Sequence, residues 1–145
     1  MNMTHPFRAI TDRSSLEHTA YVELMVGAYA DLCWNEGSLF FEEEVFGYLE
    51  PTIKKYVPTY DHYAFTQVSM TDWEKIIADL ANIRDALGIE ALRVSALAQM
   101  GVISTRELTE HVDASSAALS ALITQIEQWT RPKRLEYDCV TILGL

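Results

Sequence analysis

Cysteine, proline and glycine are scarce in this 145-residue chain, and basic residues are missing from a whole stretch of it. The two cysteines, Cys33 and Cys139, lie far apart, with no C-x-x-C pair or Cys/His cluster, which argues against structural zinc. Each sits in an apolar stretch, where a free thiol packs as a small hydrophobe. Cys33, between Leu32 and Trp34, is therefore expected to be a packed structural residue rather than a nucleophile. A single long-range disulfide is the alternative. Four prolines and six glycines exclude collagen-like and low-complexity architectures. No run of about 18 apolar residues occurs, so no membrane-spanning helix is expected. Residues 1–13 carry no apolar segment resembling a signal peptide. The expectation is a cytoplasmic protein forming one domain over 1–145, with 1–13 loosely ordered.

Charge of one sign is also missing locally. Between Ser14 and Ile53 there are eight acids (Glu17, Glu23, Asp31, Glu36, Glu42, Glu43, Glu44 and Glu50) and no Lys or Arg. The bases gather at Lys54–Lys55 and at Arg131, Lys133 and Arg134. With a net charge of −10, the chain repels nucleic acid and anionic membranes over most of its surface, and neither is an expected partner. What remains is a globular composition, 49% hydrophobic and 10% aromatic, rich enough to build one core without metals or disulfides.

Helical periodicity dominates the reading of the chain. Ser14 and Ser15 can cap a helix opening at Leu16, with Leu24, Ala28 and Leu32 at helical spacing and Gly37 as its stop. A second helix, rich in aromatics, is predicted over 39–50, ended by Pro51. Residues 60–68 read as extended or loop, with Tyr63, Phe65 and Gln67 on one face. Thr71 and Glu74 form a capping box ahead of the stripe Trp73, Ile76, Ile77, Leu80, Ile83 and Leu87, closed by Gly88. Arg84 borders that stripe. A shorter helix over 89–101 rests on Leu92, Leu97 and Met100. Ser104 and Glu107 make a second capping box, and helix then runs on to Trp129 or restarts near Asp113, before Pro132. Residues 135–143 alternate in β-rich fashion and read as a C-terminal strand. The predicted fold is mainly α, with five to six helices and at most a small antiparallel β element including that strand.

Chemistry-bearing motifs are few. There is no GxSxG, P-loop, GxGxxG or HExxH, and Glu107 and His111 lack the spacing of a helix-bundle metal site. No catalytic residue, metal or cofactor is expected. The 42–44 acidic run suits either a helix start or a basic partner. Joined to the base-free segment, it nominates Asp31, Glu36, Glu42, Glu43, Glu44 and Glu50 as partner-binding residues. Tyr60, Asp61 and Tyr63, following Pro58, join them as exposed interface candidates. Two other readings stay open. One is a helical ligand-binding domain or small-molecule enzyme using Asp61, His62 or His111. The other is a helix-turn-helix over 104–128, weakened because 115–129 holds no Lys or Arg.

The segment Phe65–Thr66–Gln67–Val68–Ser69–Met70–Thr71–Asp72–Trp73–Glu74–Lys75–Ile76–Ile77, followed by Leu80, resembles bacterial immunity proteins of polymorphic toxin systems, nearest those of contact-dependent growth inhibition. The strand over 137–143 is similar to endings in the same group. The resemblance covers about a sixth of the chain. It implies a small cytoplasmic, non-enzymatic protein that binds its cognate toxin domain and blocks it. An acidic surface would suit a nuclease toxin, whose substrate groove is basic.

Overall fold

The segment Tyr21–Val26, expected to be helical, is a β-strand (β1) in the computed structural model, which describes residues 8–17, 20–101 and 112–145. Five of its six residues are buried, because β1 lies inside a sheet covered on both faces. Such a strand carries no apolar–polar alternation to announce it, and a short apolar run does not distinguish strand from helix. Leu39–Glu42 (β2) departs from its predicted helix in the same way. Helix begins only at Glu43–Gly47 (α1) and resumes at Glu50–Tyr56 (α2). Pro51 opens α2 instead of ending a helix, since a first-turn proline loses no helical hydrogen bond.

Phe65–Ser69 (β3) and Cys139–Leu143 (β4) complete a four-stranded antiparallel sheet in the order β2-β1-β4-β3. The protein is therefore α+β, and the expectation of a mainly α fold with a small β element is overturned. The C-terminal strand was anticipated, but its central position was not. It pairs Leu24 with Ile142 on one side and Thr66 with Ile142 on the other. Ile10 bridges to Phe40 on the outer edge of β2, and Ala9 exchanges two 3.0 Å hydrogen bonds with the Gln125 side chain.

Met70–Leu87 (α3) carries the predicted stripe. Trp73, Ile76, Leu80, Ile83 and Leu87 are buried, and Ile77 is half-buried. Its cap differs from the Thr71 capping box: Ser69 Oγ accepts from Asp72 N at 3.1 Å, two residues earlier. After a 3-10 turn at Glu90–Leu92 comes Arg93–Gln99 (α4), which buries Leu97 and delivers Met100 to the core, while Leu92 is exposed. The Ser104–Glu107 box and the start of the following helix lie outside the described residues. Val112–Thr130 (α5) packs on α3 through Leu119, Leu122, Ile123 and Ile126. Its exposed positions include Asp113, Ala114, Ala117, Ala121 and Gln128, with no cation, which disfavours a recognition helix.

One hydrophobic core joins the helices to one face of the sheet, contributed by Val22, Leu24, Leu39, Phe41, Val68, Val140 and Ile142. Trp73 anchors it, with its indole N–H donating to Thr130 Oγ at 2.9 Å. Replacing Trp73 by Ala should cost about 3–5 kcal/mol, the usual range for a large aromatic removed from a core. Urea unfolding followed by circular dichroism checks this. A loss below about 1 kcal/mol would mean that the α3 stripe does not hold the fold.

Candidate functional site

Alternation along the strands sends Tyr21, Glu23 and Met25 of β1 to the face away from the helices, beside Phe40, Thr141 and Leu143 of the neighbouring strands. A carboxylate at the centre of such a face is costly unless it is fully hydrogen-bonded. The loop over 27–38 meets that need. Glu23 is 2% exposed and accepts from Trp34 N (2.6 Å), Asn35 N (2.9 Å), Asn35 Nδ2 (2.9 Å) and Ser38 Oγ (2.7 Å). To bring these donors together the chain takes left-handed φ at Asp31 (65°) and Trp34 (61°), where side chains are disfavoured.

The loop thus folded lays Trp34 edge-on to Tyr21 and Phe40, and Tyr29 edge-on to Phe65 at 4.9 Å between ring centres. Further ties come from Thr141 Oγ to Gly27 O (2.7 Å), Trp129 Nε1 to Gly37 O (2.8 Å) and Arg13 to Trp34 O (2.9 Å). Between loop and sheet lies an open cleft of about 430 Å³, walled by Tyr21, Glu23, Cys33, Trp34, Phe65 and the chain end at 143–145. Cys33 is exposed there, not packed in a helix as expected, because its segment is loop; both cysteines are free thiols. Partial burial, then the neighbouring Cys33 and Asp31, push the Tyr29 phenol upward in pKa.

A second cluster adjoins the same chain end. His62 Nδ1 meets Glu50 Oε2 at 2.6 Å, and its Nε2 meets Glu43 Oε1 at 3.0 Å. Tyr60 also donates to Glu50 Oε2, at 2.7 Å. One histidine thus ties the start of α1 to the start of α2. Leu145 N and Gly144 N donate to the carbonyls of His62 and Ala64. A Cβ at Gly144 would stand 2.4 Å from His62 O, so only glycine passes here. Burial depresses the His62 pKa, but the hydrogen bonds its ring donates to Glu50 and Glu43 outweigh it and the net shift is upward from 6.5. Burial and the Glu50 carboxylate push Tyr60 strongly upward.

The nominated partner residues are distributed unevenly. Asp31 and Glu36 are exposed on the loop, Glu42 is exposed at the end of β2, and Glu44 is exposed in the first turn of α1. Glu43 and Glu50 are engaged by His62. Tyr60, expected at an interface, is 4% exposed and belongs to the core, because its hydroxyl reaches Glu50 from inside. Tyr63 is 71% exposed and packs edge-on against His62, and Asp61 accepts from Tyr63 N in a tight turn. The sequence reading missed Glu23 and undervalued His62. The signal for Glu23 was a lone acid inside Tyr-Val-Glu-Leu-Met-Val. His111 lies outside the described residues, and among those described no cluster suits a metal ion.

No family model, no curated protein sequence and no solved structure matches the chain. No helix among the described residues is long and apolar enough to cross a membrane.

A histidine whose pKa rises on folding stabilises the folded state fully below its unfolded value, near 6.5. That contribution should disappear as pH rises through the higher folded value. Urea titrations at pH 6 and pH 8.5 should show the wild type losing more stability across this interval than His62→Gln. Equal losses in the two proteins would exclude His62 as the clamp. Gly144→Ala should lower the melting temperature through its clash with the 62–64 turn, by an amount corresponding to about 1–3 kcal/mol.

Proposed function

We propose that this protein works by protein–protein binding, as a cytoplasmic immunity protein that captures and blocks a basic toxin domain of the nuclease type. The observation carrying this reading is an exposed aromatic run with acids beside it. Tyr29 packs edge-on against Phe65, and Tyr63, two residues from Phe65, packs edge-on against His62. These three aromatics are 37%, 48% and 71% exposed. Aromatic anchors at a surface are the residues that interfaces favour. Asp31 and Glu36 lie on the loop that carries Tyr29 and Asp61 on the turn that carries Tyr63, while Glu42 ends β2 and Glu44 opens α1; their charge would steer a basic groove toward them.

The reading assigns no catalytic role. Among the described residues the most deeply buried carboxylate is Glu23, and its four hydrogen-bond donors hold the 27–38 loop in place. The resemblance of 65–77 and 137–143 to immunity proteins points the same way.

Glu43 is unsuitable for testing the acidic surface, because its reversal would set a lysine against His62. Glu36→Lys with Glu44→Lys changes local charge by about four units, two for each reversal. Association with a basic toxin domain encoded beside this gene should slow by about tenfold or more at low salt. The difference should shrink as salt rises, since exposed charges are screened beyond about 8 Å at physiological ionic strength. The wild type should protect cells expressing that domain, and the double variant should protect them poorly while melting at nearly the same temperature. Intact protection by the double variant would overturn the reading.

A further inference from the structure

Among the described residues, Glu23 forms no ion pair with any Lys, Arg or His. All four hydrogen bonds it accepts come from neutral donors directed at its two carboxylate oxygens. Three of them fall on Oε2. Oε1 receives only Trp34 N, which leaves it further acceptor capacity. The charge is 2% exposed, so solvent screens it weakly, yet Glu23 forms part of the wall of an open cleft. Arg13, from the turn at Arg13–Ser15, donates to the carbonyl of Trp34.

The other walls define what would complement that charge. Tyr21, Trp34 and Phe65 present aromatic rings, and Leu143 and Leu145 present aliphatic surface. A cation gains from an aromatic face, most of all from tryptophan. Apolar walls accept an aliphatic stem but penalise a strongly hydrated head. A guanidinium is planar, delocalised and less strongly hydrated than an ammonium, so it loses less on entering. The cleft, at about 430 Å³, lies within the range of small-molecule sites.

We propose that the cleft walled by Trp34, Phe65, Leu143 and Glu23 receives an arginine side chain of the partner protein, with its guanidinium against the aromatic rings and the Glu23 carboxylate. This rests on the reading that the partner is a basic protein, and makes the cleft the anchor point of that contact. The surrounding acids speed the encounter, and the cleft holds the complex once formed.

The test uses the full chain and a probe that needs no partner. N-acetyl-arginine methylamide is titrated into the ¹⁵N-labelled protein, beside N-acetyl-citrulline methylamide, which has nearly the same shape without the charge. The arginine probe should shift the Trp34 indole and Asn35 amide signals saturably, with affinity at least about tenfold above citrulline. Cys33 is exposed and Cys139 buried, so N-ethylmaleimide should modify Cys33 selectively and plug the cleft, abolishing the response. Glu23→Gln should abolish it too. If that variant does not fold, the alkylated wild type carries the test. Equal shifts from both probes, or an arginine response that survives alkylation, would overturn the proposal.

Glu36→Lys with Glu44→Lys should leave probe binding nearly unchanged. Intact protection by that double variant, with the probe still bound, would therefore discredit the basic-toxin reading and leave the arginine site standing. Salt-dependent protection without probe binding would do the reverse.

Discussion

A single buried carboxylate organises the half of this molecule that the helices do not cover. The helices share one core with one face of the sheet, and the opposite face would leave Tyr21, Met25, Phe40, Thr141 and Leu143 to water. Glu23, in the middle of that face, needs hydrogen-bond donors, and the 27–38 loop supplies all four. The cost of an unsatisfied buried charge, several kcal/mol, exceeds the roughly 1–3 kcal/mol stored at each left-handed side chain such as Asp31 or Trp34. The loop is therefore pulled down, and its aromatic residues come with it. The same contact seals the sheet and shapes the cleft.

A second constraint acts from the far end of the chain. β4 inserts between β1 and β3, so neither outer half of the sheet is complete until residues 139–143 are in place. Such pairings between distant segments carry a loop-closure cost before they return any stability. The residues after β4 then run past the His62 turn, where Gly144 leaves no room for a Cβ. The Glu23 cleft and the His62 cluster meet at this chain end. The proposed binding surface is thus assembled from a loop following β1, a turn preceding β3 and the end of β4.

Much of the helical half was legible. The α3 stripe from Trp73 to Leu87 follows from its spacing, because a helix covered on one side writes that side into its sequence. The extended character of 65–68 and of the C-terminal strand also shows in residue type. The N-terminal third misleads for the opposite reason. Strands buried on both faces, such as β1, keep no alternation, and Leu24, Ala28 and Leu32 fall at helical spacing by coincidence. Of the residues nominated for partner binding, Tyr63 and the loop acids are exposed, as their residue types suggested. Tyr60 was not separable from Tyr63 by sequence, since it is buried in the core beside Phe46 with its hydroxyl on Glu50, both from other elements.

Composition and local pattern by themselves determined the charge of −10, the base-free acidic segment, the long α3 helix and a closing strand. These depend on residues near one another in the chain. Tertiary structure alone decided the sheet order, the role of Glu23, the exposure of Cys33 and the joining of Glu43, Glu50 and His62. Each of those depends on which distant groups arrive within hydrogen-bonding distance. A carboxylate reads as a solvated charge until its donors are in place, and the donors for Glu23 arrive only when the loop folds back over the strand.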